Sequence, residues 1–328
     1  MKNLLVTGGA GFIGSNFIHY LIKKHPKYLI VNLDLLTYAG NIYNLSDLED
    51  DSRHIFVHGD ITDYELVKKL IQNYKIDTIV NFAAESHVDR SILRPDMFIK
   101  TNIIGTQTLL GVAKEEKIEK YLQISTDEVY GDLGKQGYFT ENSMLAPNSP
   151  YAASKASADL LVCSYIKTYG LNANITRCSN NYGPYQFPEK LIPLFVTNGL
   201  LGKELPLYGD GQNIRDWLHV YDHCHALDLV LHKAKAGEIY NIGGHNERTN
   251  TEIAHLIVEK LGLSKTQIKH VTDRLGHDRR YAIDPTKIRT ELSWEPTYTF
   301  EKGINETINW YLKNQNWWRP LKNQTKVK

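Results

Sequence analysis

Cysteine is scarce in this chain: Cys163, Cys178 and Cys224 are the 3 present in 328 residues, scattered and without a Cys-x-x-Cys pair. That argues against a disulfide framework and against a structural zinc site. Neither sign of charge is in excess, since 38 basic residues face 37 acidic ones for a net charge of +1. There is thus no general electrostatic pull toward nucleic acid or an anionic membrane. No apolar run is long enough to span a bilayer, and the start of the chain reads as a buried strand, Lys2 to Thr7, without an export-signal pattern. The glycosylation triplets Asn44-Leu-Ser and Asn174-Ile-Thr accordingly read as chance, and the expected location is cytoplasmic. Internal repeats and low-complexity linkers are lacking too. The remainder is an ordinary globular composition, long enough for a large core and two lobes.

The first half alternates short apolar runs with helical patterns. Strands are expected at Leu4–Val6, Leu29–Leu33, Ile55–Val57, Thr78–Phe82, Tyr121–Ile124 and Ala173–Arg177. Helices are expected over Phe12–Lys24, Asp63–Tyr74 with Asp63 as cap, Pro95–Lys114 as one piece, and Tyr151–Tyr169. Strands alternating with helices predict βαβ units, and uniformly apolar strands predict a parallel sheet covered on both faces. After about Asn180, Gly and Pro become frequent and the elements shorter, with helices expected at Asp222–Lys235, Thr251–Leu261 and Glu301–Lys313 and a strand at Glu238–Ile242. The expected fold is α/β: a doubly wound parallel sheet over residues 1–180 and a smaller C-terminal substrate-binding lobe over 181–328. Some segments of about 210–245 are expected to return to the large sheet. The tail after Lys313 is polar apart from Trp317 and Trp318 and is expected to fray.

Gly8-Gly9-Ala10-Gly11-Phe12-Ile13-Gly14 lies between the first strand and the first helix. Gly8 suits the tight turn, Gly11 lets the backbone approach a pyrophosphate, and Gly14 lets helix and strand pack closely. The phosphates would sit at the positive end of the helix. Asp34 ends the second strand, twenty residues after Gly14, where a carboxylate accepts from the adenosine ribose and repels a 2′-phosphate. NAD is therefore favoured over NADP. Asp60, after the third strand, suits either an adenine contact or a helix cap.

The chemistry-bearing segment is Ser125-Thr-Asp-Glu-Val-Tyr-Gly131, followed by Tyr151-Ala-Ala-Ser-Lys155. Tyr151 and Lys155 share a helix face, and a nearby ammonium lowers a phenol's pKa, so the Tyr can take a hydroxyl proton. Asp127 and Glu128 are adjacent carboxyls following the carboxyl end of a strand. If their environments push their pKa values apart, one acts as acid and the other as base, which elimination of water requires. Arg215 suits a bidentate diphosphate contact, with Lys190 and Arg279 as further basic candidates. In His219-Val-Tyr-Asp-His-Cys-His225 the spacing is not a recognised zinc pattern, and Asp222 reads more simply as a helix cap; no metal is expected.

With these residues the chain resembles the extended short-chain dehydrogenases/reductases, and within them the dTDP-glucose 4,6-dehydratase family, over nearly its whole length. Further matching stretches are Asp34–Asn41, Ala83–Ser91, Arg177–Pro184, Phe187–Pro193, Arg215–Leu218 and Gly276–Asp284. The resemblance implies a Rossmann-type sheet, tightly held NAD, a dTDP-glucose substrate, and a product that feeds deoxysugar synthesis. It implies that Tyr151 deprotonates the C4 hydroxyl while C4 gives hydride to NAD, with Lys155 on the nicotinamide ribose. Glu128 then removes the C5 proton, Asp127 protonates the departing C6 hydroxyl, and the hydride returns to C6. Thr126 holds the sugar or the developing C4 oxyanion. Cofactor contacts are implied at Gly8, Gly11, Phe12, Ile13, Gly14, Asp34, Thr37, Asp60, Ile61, Phe82, Ala83, Ala84, Thr101, Tyr151, Lys155 and Asn181. Substrate contacts are implied at Ser86, Thr126, Asn180, Lys190, Leu191, Pro206, Tyr208, Arg215, Asn250, Asp273 and His277. A homodimer is implied through the 95–114 and 151–169 helices, where Ile103, Leu110, Leu160 and Leu161 are apolar. Two positions depart from the family pattern: Leu35 in place of Lys and Leu275 in place of Pro.

Two other readings compete. A sugar-nucleotide 4-epimerase would use the same Tyr and Lys but usually lacks the acidic pair. A non-catalytic NAD-binding sensor would not be expected to carry the intact set of Tyr151, Lys155, Asp127 and Glu128.

Overall fold

The apolar runs do become strands, buried on both faces except for the half-buried edge strand His54–His58. In the computed structural model, which describes residues 2–322, these are β1 (Asn3–Thr7), β2 (Leu29–Asp34), β3 (His54–His58), β4 (Thr78–Asn81), β5 (Lys120–Thr126) and β6 (Ala173–Cys178). The second half adds β7 (Asn180–Tyr182), β8 (Leu205–Tyr208), β9 (Ile214–His219), β10 (Ile239–Ile242), β11 (Glu247–Thr249) and β12 (Ile268–Val271). Seven strands form one sheet in the order β10-β6-β5-β4-β1-β2-β3, with every neighbouring pair parallel. Successive strands run outward from β1 in both directions, so a crevice opens between the carboxyl ends of β1 and β4.

Helices cover both faces, as a doubly wound sheet requires. Phe12–Lys24 and Val220–Lys233 pack on one side around Phe17, Ile18, Leu227 and Val230. Tyr64–Tyr74, Thr106–Glu115 and Pro150–Tyr169 pack on the other around Val67, Leu109 and Val162. A third apolar cluster lies in the second half, where helices Leu191–Leu200, Asn250–Lys260 and Phe300–Lys313 enclose Phe195, Ile257, Ile304 and Trp318. Of the 210–245 stretch, β10 lies at the edge of the large sheet, whereas β9 pairs with β7 and β11 in a separate three-stranded sheet.

Several elements differ from expectation for identifiable reasons. The single helix over 95–114 is instead three pieces: Pro95–Phe98, a π-helical stretch Ile99–Gly105, and Thr106–Glu115. Arg94, restricted by the following Pro95, separates them from the short helix Val88–Leu93. π-helical turns collect at functional sites. Here the π stretch carries Asn102, whose side chain accepts from Glu85 N (2.9 Å) and donates to Glu85 O (3.0 Å) and Ser154 Oγ (2.8 Å). It thereby ties the turn after β4 to the helix bearing Tyr151.

Asp222 is not a helix cap. His219 caps that helix, and Asp222, inside the first turn, accepts from Thr297 N, Thr297 Oγ1 and Tyr298 N. The tail after Lys313 continues as a helix, Gln315–Lys322, because Trp318 is fully buried and donates to Tyr311 O at 2.8 Å. The expected fraying of the very end falls on residues outside those described. Asn44 and Asn174, the two glycosylation triplets, are both buried and hydrogen bonded. No helix among the described residues is long and apolar enough to cross a membrane.

Candidate active site

Gly8 leaves β1 in the left-handed region (φ +68°), where a side chain would be strained, and a Cβ there would lie 2.6 Å from Ala83 N. A Cβ on Gly14 would lie 2.4 Å from Gly8 O. Gly11, by contrast, has only Gly8 O within 4 Å (3.2 Å) and faces open space. It caps the Phe12–Lys24 helix with no side-chain bond, and the first turn carries no acidic residue. Unsatisfied backbone N–H groups and the positive end of the helix thus point at the crevice, which is the donor set a pyrophosphate needs. Asp34, at the end of β2, is held by bonds from Ala10 N (2.9 Å) and Leu36 N (2.8 Å). Burial raises its pKa, and these two bonds oppose the rise.

Every residue expected to contact the cofactor lines one cavity of about 300 Å³ at the carboxyl end of the sheet, from Gly8 and Asp34 through Thr101 to Tyr151, Lys155 and Asn181. Asp60 is among them. It is not a helix cap, since Asp63 accepts from Leu66 N in that role; Asp60 instead holds Thr62 N and pairs with Lys100 at 3.1 Å. A second cavity of about 130 Å³ shares Glu128, Asn180, Asn181, Gln186 and Lys190 with the first, so the two form one cleft.

The reactive groups meet where the cavities join. β5 ends at Thr126, whose hydroxyl accepts from Glu128 N (3.3 Å) and starts the short 3₁₀ turn Asp127–Tyr130. Asp127 is 2 % exposed, and its Oδ2 is buried with no protein partner. Burial, followed by the Glu128 and Asp216 charges, pushes the Asp127 carboxyl well above the usual carboxylate range. Burial raises Glu128 as well, but Lys190, Arg274 and Arg215 oppose that rise. The two neighbours are thereby inequivalent: the acidic groups Glu128 and Asp216 act on Asp127 ahead of Arg215, whereas the cations Lys190, Arg274 and Arg215 act on Glu128 ahead of Asp278.

Ser149 caps the next helix through Ala152 N (3.1 Å), with Pro150 in its first turn, and this places Tyr151 and Lys155 in the cavity wall. The expected lowering of the phenol by the ammonium is not seen. Burial, Glu128 and Cys178 push Tyr151 well above its ordinary value, with the Thr126 hydroxyl opposing. The reason is geometric: Lys155 Nζ donates to Ile124 O at 2.7 Å, and the charges nearest the phenol are carboxylates.

Ser86, Asn180, Lys190, Leu191, Arg215, Asn250 and His277 line the joined cavities. Lys190 Nζ donates to Ser86 O at 2.8 Å. Arg215 is buried, its guanidinium 4.3 Å from the Tyr281 ring centroid and bonded to the Asp278 and Ile214 carbonyls. It has no carboxylate partner among the described residues, which leaves its charge for an anion. Three expected substrate residues are not among those lining the cavities. Tyr208 reaches toward Asp89 (3.2 Å), Asp273 holds His277 Nδ1 (2.6 Å), and Pro206 lies within β8. Arg279 is exposed and forms a two-point pair with Asp210 (2.7 and 2.9 Å), so its charge is engaged outside the cleft.

Arg274, Tyr281, Glu85, Gln186 and Glu189, none of them singled out in the sequence, also lie in the cavity walls. Arg274 lies between Asp273 and His277, and Glu85, Glu189 and Tyr281 fall within stretches that carry the family resemblance; only Gln186 had no such signal. Leu275 points to solvent, 76 % exposed, and Leu35 sits at the cavity edge. The His219–His225 side chains diverge: His219 stacks on Tyr298 (3.8 Å between centroids), while His223 Nδ1 meets Asn181 Oδ1 at 2.9 Å.

The family model for GDP-mannose 4,6 dehydratase matches residues 5–307. A dTDP-glucose 4,6-dehydratase of Xanthomonas campestris is 52 % identical, covering 97 % of this chain and 95 % of its own. Among solved structures, a dTDP-glucose 4,6-dehydratase from Bacillus anthracis in complex with NAD is 56 % identical with a TM-score of 0.92, covering 98 % of this chain and 100 % of that one. One from Streptomyces venezuelae with NAD and TYD bound is 52 % identical with a TM-score of 0.95, again covering 98 % and 100 %. A UDP-glucose 4-epimerase from Thermotoga maritima is more distant at 30 % identity, with a TM-score of 0.89 and coverage of 96 % and 100 %.

Proposed function

This chain belongs to the GDP-mannose 4,6 dehydratase family and, within it, to the dTDP-glucose 4,6-dehydratases, and from that premise we propose how its own residues carry the reaction. The protein is an NAD-dependent hydro-lyase that converts dTDP-glucose to dTDP-4-dehydro-6-deoxyglucose and water. The loop Gly8–Gly14 and Asp34 hold the cofactor. NAD held there would supply a hydride acceptor for C4 and, once reduced, a hydride donor for C6, so the net redox change would be zero.

Tyr151 takes the C4 hydroxyl proton, Thr126 positions the phenol and the developing oxygen charge, and Lys155 holds the nicotinamide ribose. The C4 ketone acidifies the C5 proton, which Glu128 removes. Asp127 gives its proton to the departing C6 hydroxyl, so water leaves. Glu128, after exchange with solvent, then returns a proton to C5; Asp127 regains its own from solvent, and Tyr151 releases to solvent the proton it took. Arg215 and Lys190 hold the diphosphate. The observation that carries this reading is the pair Asp127–Glu128: a buried carboxyl with a free oxygen and a strongly raised pKa, beside one countered by three cations. An epimerase has no use for that pair, and a sensor has no use for the acid.

The test is to incubate the protein with dTDP-glucose and no added NAD, in heavy water, and follow the sugar nucleotide by mass spectrometry. Loss of one water (~18 Da), with deuterium at C5 and none at C6, is expected from internal hydride return. Solvent label at C6 would refute it; an unchanged mass with a new isomer would indicate epimerisation.

The cytoplasmic reading gains support from the three free cysteines. A homodimer gains support from one apolar face: Leu93, Ile99, Ile104 and Leu160 are 65, 51, 48 and 61 % exposed. Leu110 and Leu161 do not belong to that face. Leu110 is fully buried, and Leu161 packs on the core beneath. Leu160→Arg is expected to convert a dimer to a monomer in light scattering, and a parent protein that is already monomeric would refute the dimer.

A further inference from the structure

The C-terminal helix Gln315–Lys322 packs in the apolar cluster of the chain's second half, yet one of its side chains is joined through a single amide to the dinucleotide loop at the other end of the sequence. Trp317 Nε1 donates to Asn44 Oδ1 at 2.8 Å, and the Nδ2 of the same amide donates to Ala10 O at 2.9 Å. Ala10 is the centre of Gly9-Ala10-Gly11. Its carbonyl also accepts from Asn41 N (3.0 Å), and its N–H donates to Asp34 Oδ2 (2.9 Å). Asn44 is 2 % exposed and Ala10 fully buried, so solvent cannot replace a lost partner at either.

Asn44 therefore works as a rigid relay. One end of its amide must face a carbonyl and the other a donor, and an indole N–H can only donate. Trp317 is itself held by rings, with Trp310 at 4.9 Å and Tyr185 at 5.9 Å between centroids. Tyr185 in turn stacks on His19 of the Phe12–Lys24 helix at 5.8 Å. Neither Trp317 nor Asn44 lines the cleft.

We propose that Trp317 is a positioning residue for cofactor retention: docking of the C-terminal helix is transmitted through Asn44 to Ala10 and sets the grip of the dinucleotide loop. The proposal rests on the reading of that loop as the NAD site. Trp317→Phe keeps an aromatic ring and loses the donor together with the pyrrole half of the indole, a loss of volume that Trp310→Phe matches in the same ring cluster. It leaves Asn44 Oδ1 buried without a partner, and Asn44 with one anchor instead of two.

The experiment compares the parent with Trp317→Phe, Trp310→Phe, Asn44→Ala and the Trp317→Phe/Asn44→Ala pair. It measures NAD content after gel filtration, the NAD release rate, amide exchange over residues 9–11 and the thermal midpoint. Trp317→Phe is expected to release NAD about tenfold faster, the size of one unpaired buried hydrogen bond, with faster exchange in the loop. Saturating NAD should restore its turnover. Trp310→Phe, in the same ring cluster but without the bond to Asn44, should keep NAD at the parental rate whatever its thermal midpoint. In the Asn44→Ala background, Trp317→Phe should add nothing. The proposal is overturned if Trp317→Phe holds NAD like the parent. It is equally overturned if Trp310→Phe loses NAD as fast, or if the two substitutions add. A parent that binds no NAD at all would instead overturn the cofactor reading beneath it.

Discussion

Asp127→Asn and Glu128→Gln are each expected to lower dehydration by about 10²–10⁴-fold, the range that positioned acid–base groups supply, while leaving C4 oxidation possible. The expected signature is reduced nicotinamide that accumulates when dTDP-glucose is added and does not reoxidise. The double variant should be scarcely worse than the worse single one, because an acid and a base that act on one elimination fail together. The pH dependence follows from the directions of the shifts. Glu128 must be ionised, so activity falls as pH drops through its raised pKa. Asp127 must be protonated, so activity falls again as pH rises through a value well above the usual carboxylate range. Glu128→Gln should erase the acid limb and Asp127→Asn the alkaline one. Turnover within tenfold of the parent in both variants would sink the assignment, and intact conversion to a 4-epimer would put the epimerase reading in its place.

Tyr151→Phe is expected to lower turnover by a similar factor, about 10²–10⁴, with a different signature: no reduced nicotinamide appears, because the first proton transfer is lost. The substitution is nearly isosteric. Phe would keep the edge contact with Phe98, 6.3 Å between centroids, so the thermal midpoint should hardly move. Burial and the neighbouring Glu128 keep the phenol protonated in the protein alone. The parent should therefore show no phenolate absorbance near neutral pH until positive charge enters the cavity with the cofactor. Single-turnover spectra that show the parental amount of reduced nicotinamide in Tyr151→Phe would refute its role as first base.

The parallel strands, the glycine turn and the helix that carries Tyr151 and Lys155 were all legible, because each rests on a short-range signal. An apolar run without alternation has to be covered on both faces, and Gly8 stands where the chain needs φ +68°. Both cavities fall at the carboxyl ends of these strands, as the βαβ pattern predicts. The expected element boundaries held where a cap was local, as with Asp63 and Ser149. They failed where the partner was distant: Asp222 looked like a cap until Thr297 and Tyr298 came to it from seventy-five residues away.

The identities of Thr126, Asp127, Glu128, Tyr151 and Lys155, and their order along the chain, are properties of the sequence alone. Which of the two carboxyls holds its proton is not. That depends first on the burial of both, then on Asp216 lying near Asp127 and on Lys190, Arg274 and Arg215 converging on Glu128, all from segments far downstream. Arg215 and Arg279 are indistinguishable as letters, but one is buried at the cleft and the other neutralised by Asp210 on the surface. Trp317 and Trp318 stood out only as two aromatics in a polar tail, and only the fold brings Trp317 to Asn44. Electrostatic and hydrogen-bond partners act through space, so a linear pattern encodes the reactive groups, while the folded chain decides their charge and orientation.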